Sequence, residues 1–460
     1  MKLPDGPKTP PTWQLIQWIT DPLGLLDECA RVHGDTFTLH LSKSLPFVFF
    51  SNPQAIQEIF TADTKQFDAG RANRILKPLV GDNSVLMVDG DRHQRQRRLL
   101  MPPFHGERMR TYGQLICEIT EQVTSQWTNG TPFTARAVMQ DITLQVILQV
   151  VFGLREGSRY QQLKPLLASL LDMTGSPLRS SMLFFDVLQQ DWGAWSPWGQ
   201  MLRRKQVFDE LLYAEIAERR QQLNPDATDI LTLLLLARDD RGEGMTDVEL
   251  RDELMTLLIG GHETTATALA WALYWIHKLP SVRERLLNEL EALGDTPDPM
   301  AIYRAPYLSA VCQETLRIYP IVPIAVPRVT KSPVQIRGYQ FEPETSLAPC
   351  LYLTHQREDL YPEPKQFKPE RFLERQYSPY EYFPFGGGNR LCIGFALAQF
   401  EMKLVLATIL SNYELALRDQ RPVKPARRGV TIAPADGVKM VVTSRRQPKK
   451  RSPQAIVSSV

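Results

Sequence analysis

The sequence lacks the marks of several protein classes. Its five cysteines are an odd number and none lie in a Cys-x-x-Cys pair, which argues against a disulfide framework or a zinc ribbon and favours a reducing compartment. The proline-rich start has neither the apolar core of a signal peptide nor a run approaching the ~20 apolar residues that span a bilayer. Basic and acidic residues nearly balance, at 53 and 51, so no overall field would attract nucleic acid. We expect a cytoplasmic protein with no transmembrane anchor and no nucleic-acid partner.

Length and periodicity predict the fold class. A chain of 460 residues with 43% hydrophobic content exceeds what one core usually serves. Helical periodicity dominates from about 107 to 240, whereas stretches rich in β-branched and aromatic residues occur near 35–50 and 334–351. We therefore predict a mainly α fold with small β-sheets. One catalytic domain would cover 1–445, β-rich at about 30–75 and 320–355 and helical at about 76–318 and 392–411, before a basic, disordered tail at 446–460.

One cysteine stands just before a predicted helix. Cys392 lies in Phe385-Gly-Gly-Gly-Asn-Arg-Leu-Cys-Ile-Gly394, and a strongly helical stretch follows. The unpaired N–H groups and positive dipole end of a helix start stabilise a thiolate. The three glycines would let the backbone approach a large flat group. A buried free cysteine beside a helix cap is the simpler alternative, but the pattern favours a haem with Cys392 as its axial ligand.

A second unusual segment lies inside a long predicted helix over 246–279. Gly260 and Gly261 cost this helix roughly 1–2 kcal/mol in propensity, so a compensating role is expected. A helix crossing at small residues would explain the glycines, but not the neighbouring Glu263 and Thr264. A hydroxyl beside a carboxylate can deliver protons within an apolar pocket. We interpret His262, which points elsewhere at this spacing, as structural.

These motifs resemble those of a known family. The pattern Phe-x-x-Gly-x-Arg-x-Cys-x-Gly resembles the haem-thiolate loop of cytochrome P-450 monooxygenases, and residues 260–265 resemble their oxygen-activating motif. The resemblance covers about 30–443 and implies haem b, iron protoporphyrin IX, with Cys392 as the iron ligand and Phe385 packed against the sulfur. It further implies that Gly261 lies against the cofactor, that Thr264 hydrogen-bonds dioxygen and that Glu263 feeds protons towards it.

Basic side chains at three places are candidate ligands of the haem propionates. His93 and Arg97 are four residues apart on a predicted helix over 92–100, so they share one face and could clamp a carboxylate. The family has a His-x-x-x-Arg pattern here, and Arg328 and Arg390 complete the set. The alternative is an ordinary solvated basic helix.

The resemblance also implies a structural brace. Glu314 and Arg317 are three apart on a predicted helix over 306–318 and can pair on one face. In the family such a pair is buried and joined by a further arginine, here Arg371. The network would position the loop before Cys392, so we expect it to be architectural.

Apolar residues in three segments predict a lipophilic cavity. A fatty acid, a terpenoid or a similar molecule would fit, and the resemblance is closest to soluble bacterial-type members, cyanobacterial ones among them. Residues 192–198 leave two interpretations open, a mobile lid or ordinary core, for Trp192, Trp195 and Trp198. The predicted substrate residues are Val85, Leu86, Met87, Leu257, Ile324, Ala325 and Val326.

Together these features predict a monomeric monooxygenase that inserts one atom of O2 into its substrate. The sequence carries no flavin or iron–sulfur motif, so electrons would come from ferredoxin and ferredoxin reductase or a similar donor. Arg92, Arg95 and Arg98 could form a basic docking face for that acidic partner. Two alternatives stay open: a haem enzyme without O2 activation, such as a peroxygenase or isomerase, and a non-catalytic haem sensor or carrier.

Overall fold

Helices make up most of the chain in the computed structural model, which describes residues 3–42, 45–104, 108–173, 175, 179 and 181–446. Short 3-10 turns connect many of them. The α-helices are α1 (Pro11–Thr20), α2 (Pro22–His33), α3 (Pro53–Thr61), α4 (Lys77–Val80), α5 (Gly90–Leu100), α6 (Arg108–Thr124), α7 (Ala135–Phe152), α8 (Ser158–Asp172), α9 (Pro197–Gln221), α10 (Ile230–Leu236), α11 (Asp247–Lys278), α12 (Pro280–Ala292), α13 (Pro299–Arg304), α14 (Pro306–Ile318), α15 (Leu351–His355), α16 (Arg371–Glu374) and α17 (Phe395–Asn412).

The strands are short and form separate small sheets, which confirms the predicted fold class. A five-stranded sheet has the order β1-β2-β8-β5-β3, a three-stranded sheet the order β4-β12-β9, and β6-β7 and β10-β11 form hairpins. The strands are β1 (Thr36–Leu39), β2 (Phe47–Phe50), β3 (Phe67–Asp68), β4 (Pro132–Thr134), β5 (Arg328–Thr330), β6 (Val334–Ile336), β7 (Tyr339–Phe341), β8 (Ser346–Pro349), β9 (Tyr413–Leu417), β10 (Pro425–Arg428), β11 (Thr431–Pro434) and β12 (Lys439–Arg445).

The register of the five-stranded sheet joins distant parts of the chain. β1 and β2, which fall in the β-rich stretch near 35–50, form an antiparallel hairpin with Thr36 opposite Phe50. β2 then pairs in parallel with β8, with Phe47 opposite Ser346. Residues near the amino terminus therefore lie beside residues about three hundred positions later.

Local signals set the ends of the main helices. Asn52 caps α3 by accepting from the N–H groups of Gln54 and Ala55. Thr246 and Glu249 form a complete capping box at the start of α11, and Pro280 begins the next helix. At 32 residues, α11 is about 48 Å long, enough to cross the protein.

Helix α11 runs through the largest apolar cluster. Most of its residues are buried, and it packs most extensively on α7, with further contacts to α17 and α14. Within the described residues α7 is the one helix long and apolar enough to span a membrane, and 67% of that stretch is buried inside the protein. Smaller apolar clusters lie on both sides of the five-stranded sheet and beneath residues 181–201.

Several local predictions need correction. Residues 321–327, at the start of the predicted β-rich stretch 320–355, contain no strand, because strand structure begins only at Arg328, after two prolines that cannot donate to a ladder. Arg446, the first residue of the predicted tail, donates from its backbone N–H to the carbonyl of Asn412 at 2.8 Å. The rest of that predicted tail, 447–460, lies outside the described residues.

The three tryptophans near 195 do not act as one group. Trp198 is 7% exposed and packs with Met182 and Met201 in an apolar cluster. Trp192 and Trp195 are 71% and 92% exposed. Core packing therefore describes only Trp198.

Candidate active site

The loop before α17 holds Cys392 in a tight turn. The Cys392 backbone N–H donates to the carbonyl of Phe385 at 3.0 Å, which closes the loop on itself. Gly394 is the N-cap residue of α17, so the cysteine does lie at a helix start. The ring of Phe385 is half-buried, with its centroid 6.3 Å from that of Phe395.

The loop glycines are explained by a protein contact. A Cβ at Gly387 would lie 2.4 Å from the ring of Phe60, and one at Gly388 would lie 2.6 Å from the Phe60 carbonyl oxygen. Gly386 and Gly388 also have φ angles of +72° and +64°, which favour glycine. Two of these glycines therefore allow the loop to pack on α3, which is a reason for glycine that the sequence did not indicate.

The electrostatics of Cys392 also differ from expectation. Burial raises the pKa of its thiol, and the N–H of Gly394 and the charge of Arg97 oppose that effect without cancelling it. The helix start alone therefore does not supply a thiolate. Coordination to a metal ion deprotonates a thiol outright. The arrangement therefore suits a cysteine that becomes a thiolate when its sulfur binds a metal. The Cys392 side chain nevertheless keeps an exposed surface.

The predicted propionate ligands converge on this loop. Arg97 Nη1 donates to the carbonyl of Leu391, next to the cysteine, at 2.6 Å. Arg390 Nη1 donates to the Val85 carbonyl at 2.8 Å, and its Nη2 contacts Asp89 at 2.5 Å. Arg328 Nη1 donates to Val326, with a longer contact from Nη2 to the carbonyl of Gly387 at 3.3 Å.

The positive charge of this cluster exceeds the negative charge of the carboxylates that contact it. Burial, followed by the charges of Arg390, Arg97 and Arg328, lowers the pKa of His93 to about 3. Burial and the charge of Arg390 lower that of Arg328 to about 9. Arg390 Nε is buried without a hydrogen-bond partner in the described part of the chain. A dianion would relieve this repulsion and bond to the free donor, so these residues fit the two propionates of haem.

The predicted hydroxyl and acid in the middle of α11 have different partners from each other. Thr264 Oγ1 donates to the Gly260 carbonyl at 2.5 Å, one turn earlier in the helix. Glu263 is held by α7, accepting from Arg136 Nη2 at 2.6 Å and from Gln140 Nε2 at 2.9 Å. His262 is buried, and its Nδ1 lies 2.9 Å from Thr143 Oγ1, consistent with the structural role expected for it.

The two glycines of α11 have different environments. A Cβ at Gly261 would lie 2.6 Å from Cδ1 of Ile147 on α7, so this glycine permits the helix crossing. A Cβ at Gly260 would meet nothing within 4 Å. The prediction that Gly261 lies against the cofactor is therefore corrected, because the open side of α11 belongs to Gly260.

The brace residues form a buried network. Arg317 Nε and Nη2 donate to the carboxylate of Glu314 at 2.6 and 2.8 Å, and Arg371 Nε donates to it at 3.1 Å. Arg317 Nη1 also donates to the carbonyl of His355 at 2.7 Å. His355 Nε2 in turn accepts from the N–H of Phe383, two residues before the cysteine loop begins. The network thus reaches the segment that leads to the cysteine.

The predicted substrate residues do not share one environment. Val85 and Ala325 are buried, and Ile324 packs into a cluster against the five-stranded sheet. Half-buried positions are the ones with surface available to a ligand. These are Leu86, Met87, Leu257, Ile324 and Val326.

The predicted docking face is largely neutralised within the chain. Arg95 pairs with Asp239 at 2.6 Å, and Arg98 pairs with Asp240 at 2.5 Å. Arg92 donates to Asn83 at 2.9 Å. Arg95 and Arg98 therefore do not offer free positive charge, whereas Arg92 bonds, among the described residues, only to a neutral amide.

Sequence reasoning missed three residues of the site. Arg136 and Gln140 stand on α7 without a recognisable motif, and they reach Glu263 over more than 120 residues of sequence. Asp89 accepts from the N–H groups of Ala69 and Gly70 as well as contacting Arg390. The only available signal was its place directly before α5, which suggests a helix cap, and its side chain makes no cap bond.

Known proteins are similar to this chain along almost its whole length. A sequence model described as Cytochrome P450 matches residues 4–440. Putative cytochrome P450 135B1 of Mycobacterium tuberculosis is 36% identical over 97% of this chain and 92% of its own length. Putative cytochrome P450 138 of the same species is 31% identical over 97% of each chain.

Solved structures show the same fold. Retinoic acid bound cyanobacterial CYP120A1 superposes with a TM-score of 0.82 at 25% identity, over 96% of this chain and 99% of that one. The cytochrome P450DA heme domain has a TM-score of 0.82 at 24% identity, over 97% and 98% of the two chains, and shows the fold alone. With the family pattern matched along almost its entire length, and with a cysteine loop and cationic cluster that fit haem, the chain belongs to the cytochrome P450 family.

Proposed function

We propose that this haem monooxygenase inserts one atom of O2 into an apolar small molecule, a fatty acid, terpenoid or similar compound. We also propose that a separate ferredoxin and its reductase supply the two electrons. Membership of the cytochrome P450 family gives the haem b cofactor and the monooxygenase class. The observation that carries the proposal is the open face of α11, where Thr264 bonds to the Gly260 carbonyl beside an acid held by Arg136.

The residues have distinct proposed roles. Cys392 Sγ is the thiolate ligand of the iron, and His93, Arg97, Arg328 and Arg390 hold the propionates. Bound haem supplies the iron at which O2 is reduced and its O–O bond cleaved.

Proton supply is proposed for Thr264 and Glu263. The Thr264 hydroxyl can turn from the Gly260 carbonyl, which it bonds at 2.5 Å, towards a reacting oxygen. Glu263 is held as a carboxylate by Arg136 and Gln140, and it can pass protons on after accepting them from solvent.

The substrate class rests on the apolar surface near Leu86, Leu257 and Val326, which are half-buried. CYP120A1, a structural neighbour, is described as retinoic acid bound. We place the protein in the cytoplasm, in keeping with five cysteines that are all free.

A spectrum tests the ligation. The reduced, carbon monoxide-bound protein should show the strongly red-shifted Soret band of thiolate-ligated haem, and Cys392→His should abolish it. Cys117→Ser, which changes a half-buried cysteine on α6, should leave the band unchanged. A Cys392→His variant that kept the band would overturn the assignment of the axial ligand.

Labelled oxygen tests the reaction. Turnover with ferredoxin, its reductase, NADPH and 18O2 should place one labelled atom in the product and the other in water. Turnover supported by hydrogen peroxide but not by the reductase chain would instead show a peroxygenase.

A further inference from the structure

The turn formed by Gly437 and Val438, the 437–438 turn, holds a strained conformation just before β12. The two residues have φ angles of +68° and +63°, both in the left-handed region. Glycine adopts this conformation readily, but a β-branched residue there is an outlier. Among the described residues the other non-glycine positions with positive φ are Arg337, Glu344 and Glu363, which are all exposed and unbranched at Cβ. Val438 is 1% exposed, so this strain is held inside the protein.

Packing explains how the strain is tolerated but not why the turn adopts it. The Val438 side chain lies in the largest apolar cluster, together with Ala135 and Met440, and this burial offsets the strain. An apolar side chain can also be buried from an ordinary extended backbone, as Met440 and Val442 are in β12. The left-handed conformation therefore serves the backbone groups of the turn.

The carbonyl groups of the 437–438 turn cap the start of α7. Those of Val438 and Gly437 accept from the N–H groups of Ala135 and Arg136 at 2.8 and 2.9 Å. The first N–H groups of a helix have no partner within it. Thr134, the N-cap residue, makes no side-chain cap bond, although threonine commonly supplies one. The helix is thus capped by a distant part of the chain and not by its own N-cap residue.

This cap ties the first turn of α7 to a β-sheet. β12 follows the 437–438 turn directly and lies between β4 and β9, with Lys439 opposite Thr134. A Cβ at Gly437 would lie 2.6 Å from Cγ2 of Thr134 and 3.5 Å from Cβ of Arg136. The position of the helix start is therefore set by close contact with a turn that the sheet holds in place.

Arg136 carries this position across to α11. Its Nη2 donates to Glu263 Oε1 at 2.6 Å, and Gln140, one turn further along α7, donates to Oε2 at 2.9 Å. The Arg136 Nε is buried and has no hydrogen-bond partner among the described residues. The carboxylate on α11 is thus located by side chains of α7, and the backbone that carries them is located by the 437–438 turn.

We propose that the 437–438 turn is a positioning element for proton delivery: it fixes Arg136 and, through Arg136, the carboxylate of Glu263. Gly437 and Val438 act through another residue, so they are positioning residues and not catalytic ones. This rests on the proposed function and deepens it by stating what sets the place of the acid. A group that transfers protons works only within hydrogen-bond reach of its partner, so a small displacement slows the reaction.

Gly437→Ala tests the turn in the haem-loaded protein supplied with ferredoxin, its reductase and NADPH. Its methyl group meets Thr134 and pushes the turn away from α7. With myristic acid or farnesol as the probe substrate, we expect product formation to fall about tenfold, within the about 10²-fold that a misplacement of ~1 Å can cost. The solvent deuterium isotope effect should rise. The dissociation constant of the probe and the carbon monoxide spectrum should stay as they are in the wild-type protein.

Further variants show whether the effect runs through the named contacts. Thr134→Ser removes the methyl group that a Cβ at Gly437 meets, so the double variant should regain most of the rate. In an Arg136→Gln background Gly437→Ala should cause little further loss, because both changes break the same connection. Gly338→Ala is the matched control: it places alanine at φ +80° in an exposed turn with open space around it, and the rate should not change. Equal losses in both backgrounds, or a loss that Thr134→Ser did not reverse, would overturn the proposal.

Two measurements without turnover separate this proposal from the proposed function. Hydrogen exchange at the N–H groups of Ala135 and Arg136 should be faster in Gly437→Ala than in the wild-type protein. The infrared carboxylate stretch of Glu263, isolated as the difference from Glu263→Gln, should shift in the same variant. A stretch and exchange rates equal to those of the wild-type protein would overturn the proposal. A shifted stretch with unchanged product formation and isotope effect would instead count against the proposed role of Glu263 alone.

Discussion

Arg136 Nη2 lies 2.6 Å from Glu263 Oε1 and joins the first turn of α7 to the middle of α11. Both side chains are largely shielded from solvent, so this pair is held more firmly than a surface pair. Gln140, one turn further along α7, takes the second carboxylate oxygen. The carboxylate therefore has a fixed position set by α7 rather than by the helix that carries it.

Glu263→Gln should slow the reaction without weakening substrate binding. The variant keeps the shape and loses the acid, so we expect product formation to fall about 10²-fold. Oxygen consumed without product should rise, together with the solvent deuterium isotope effect. The exposed Glu284→Gln serves as control. Unchanged product yield per NADPH would show that protons arrive by another route.

The two glycines of α11 should respond oppositely to alanine. Gly261→Ala places a methyl group against Ile147 and should lower the free energy of unfolding by ~1 kcal/mol. Gly260→Ala meets open space and should raise it by ~0.5–1 kcal/mol, since alanine favours helix. Urea unfolding measures both. Ile147→Val should restore part of the loss in the double variant, and equal effects at both glycines would contradict the crossing geometry.

The brace should be essential for stability. Glu314→Gln leaves Arg317 and Arg371 as buried cations without their carboxylate, and we expect a cost of ~3–5 kcal/mol in unfolding free energy. The carbon monoxide spectrum should also lose intensity, because the network reaches Phe383 through His355. Glu28→Gln, in the exposed pair with Arg31, is the control and should change little. Normal stability of Glu314→Gln would refute the brace.

Acid should destabilise the protein through buried histidines. Burial, with the charge of Arg317, lowers the pKa of His355 to about 3, and burial lowers that of His262 to about 4. Imidazoles in the unfolded chain bind protons near pH 6.5, so unfolding takes up protons below that pH. The neutral, buried imidazoles contribute fully to the free energy of unfolding above pH 6.5. This contribution falls by ~1.4 kcal/mol per pH unit for each histidine towards pH 4.

Urea titrations at pH 7.5, 6 and 5 measure this slope. His355→Asn should reduce the number of protons taken up on unfolding by one, and this holds whatever the effect of the substitution on stability at pH 7.5. His40→Asn, at an exposed site, serves as the matched control. An identical slope for His355→Asn and the wild-type protein would contradict the low pKa.

Features set by neighbouring residues could be predicted from the sequence, and those set by distant contacts could not. The capping box at Thr246 and the proline at 280 are local, so the bounds of α11 follow from them. Which of Gly260 and Gly261 meets α7 depends on how two helices cross. The patterns likewise indicate that the cysteine loop needs glycine, but only the fold brings Phe60 against it.

Charged side chains show the same limit. The spacing of His93 and Arg97 places both on one face of α5. The sequence cannot show, however, that Arg95 and Arg98 form ion pairs with Asp239 and Asp240. The partners lie more than 140 residues away. A basic run therefore predicts where charge lies along the chain and not whether it is free.

The parallel pairing of β2 with β8 has a consequence for synthesis of the chain. The ribosome makes Phe47-Val-Phe-Phe50 almost three hundred residues before the strand that pairs with it. At ~5–20 residues per second, this apolar edge waits about 15–60 s. An unpaired apolar edge is a template for association with other chains. Until β8 emerges, the apolar edge of β2 can associate with other nascent chains, so the yield of folded protein should depend on translation speed.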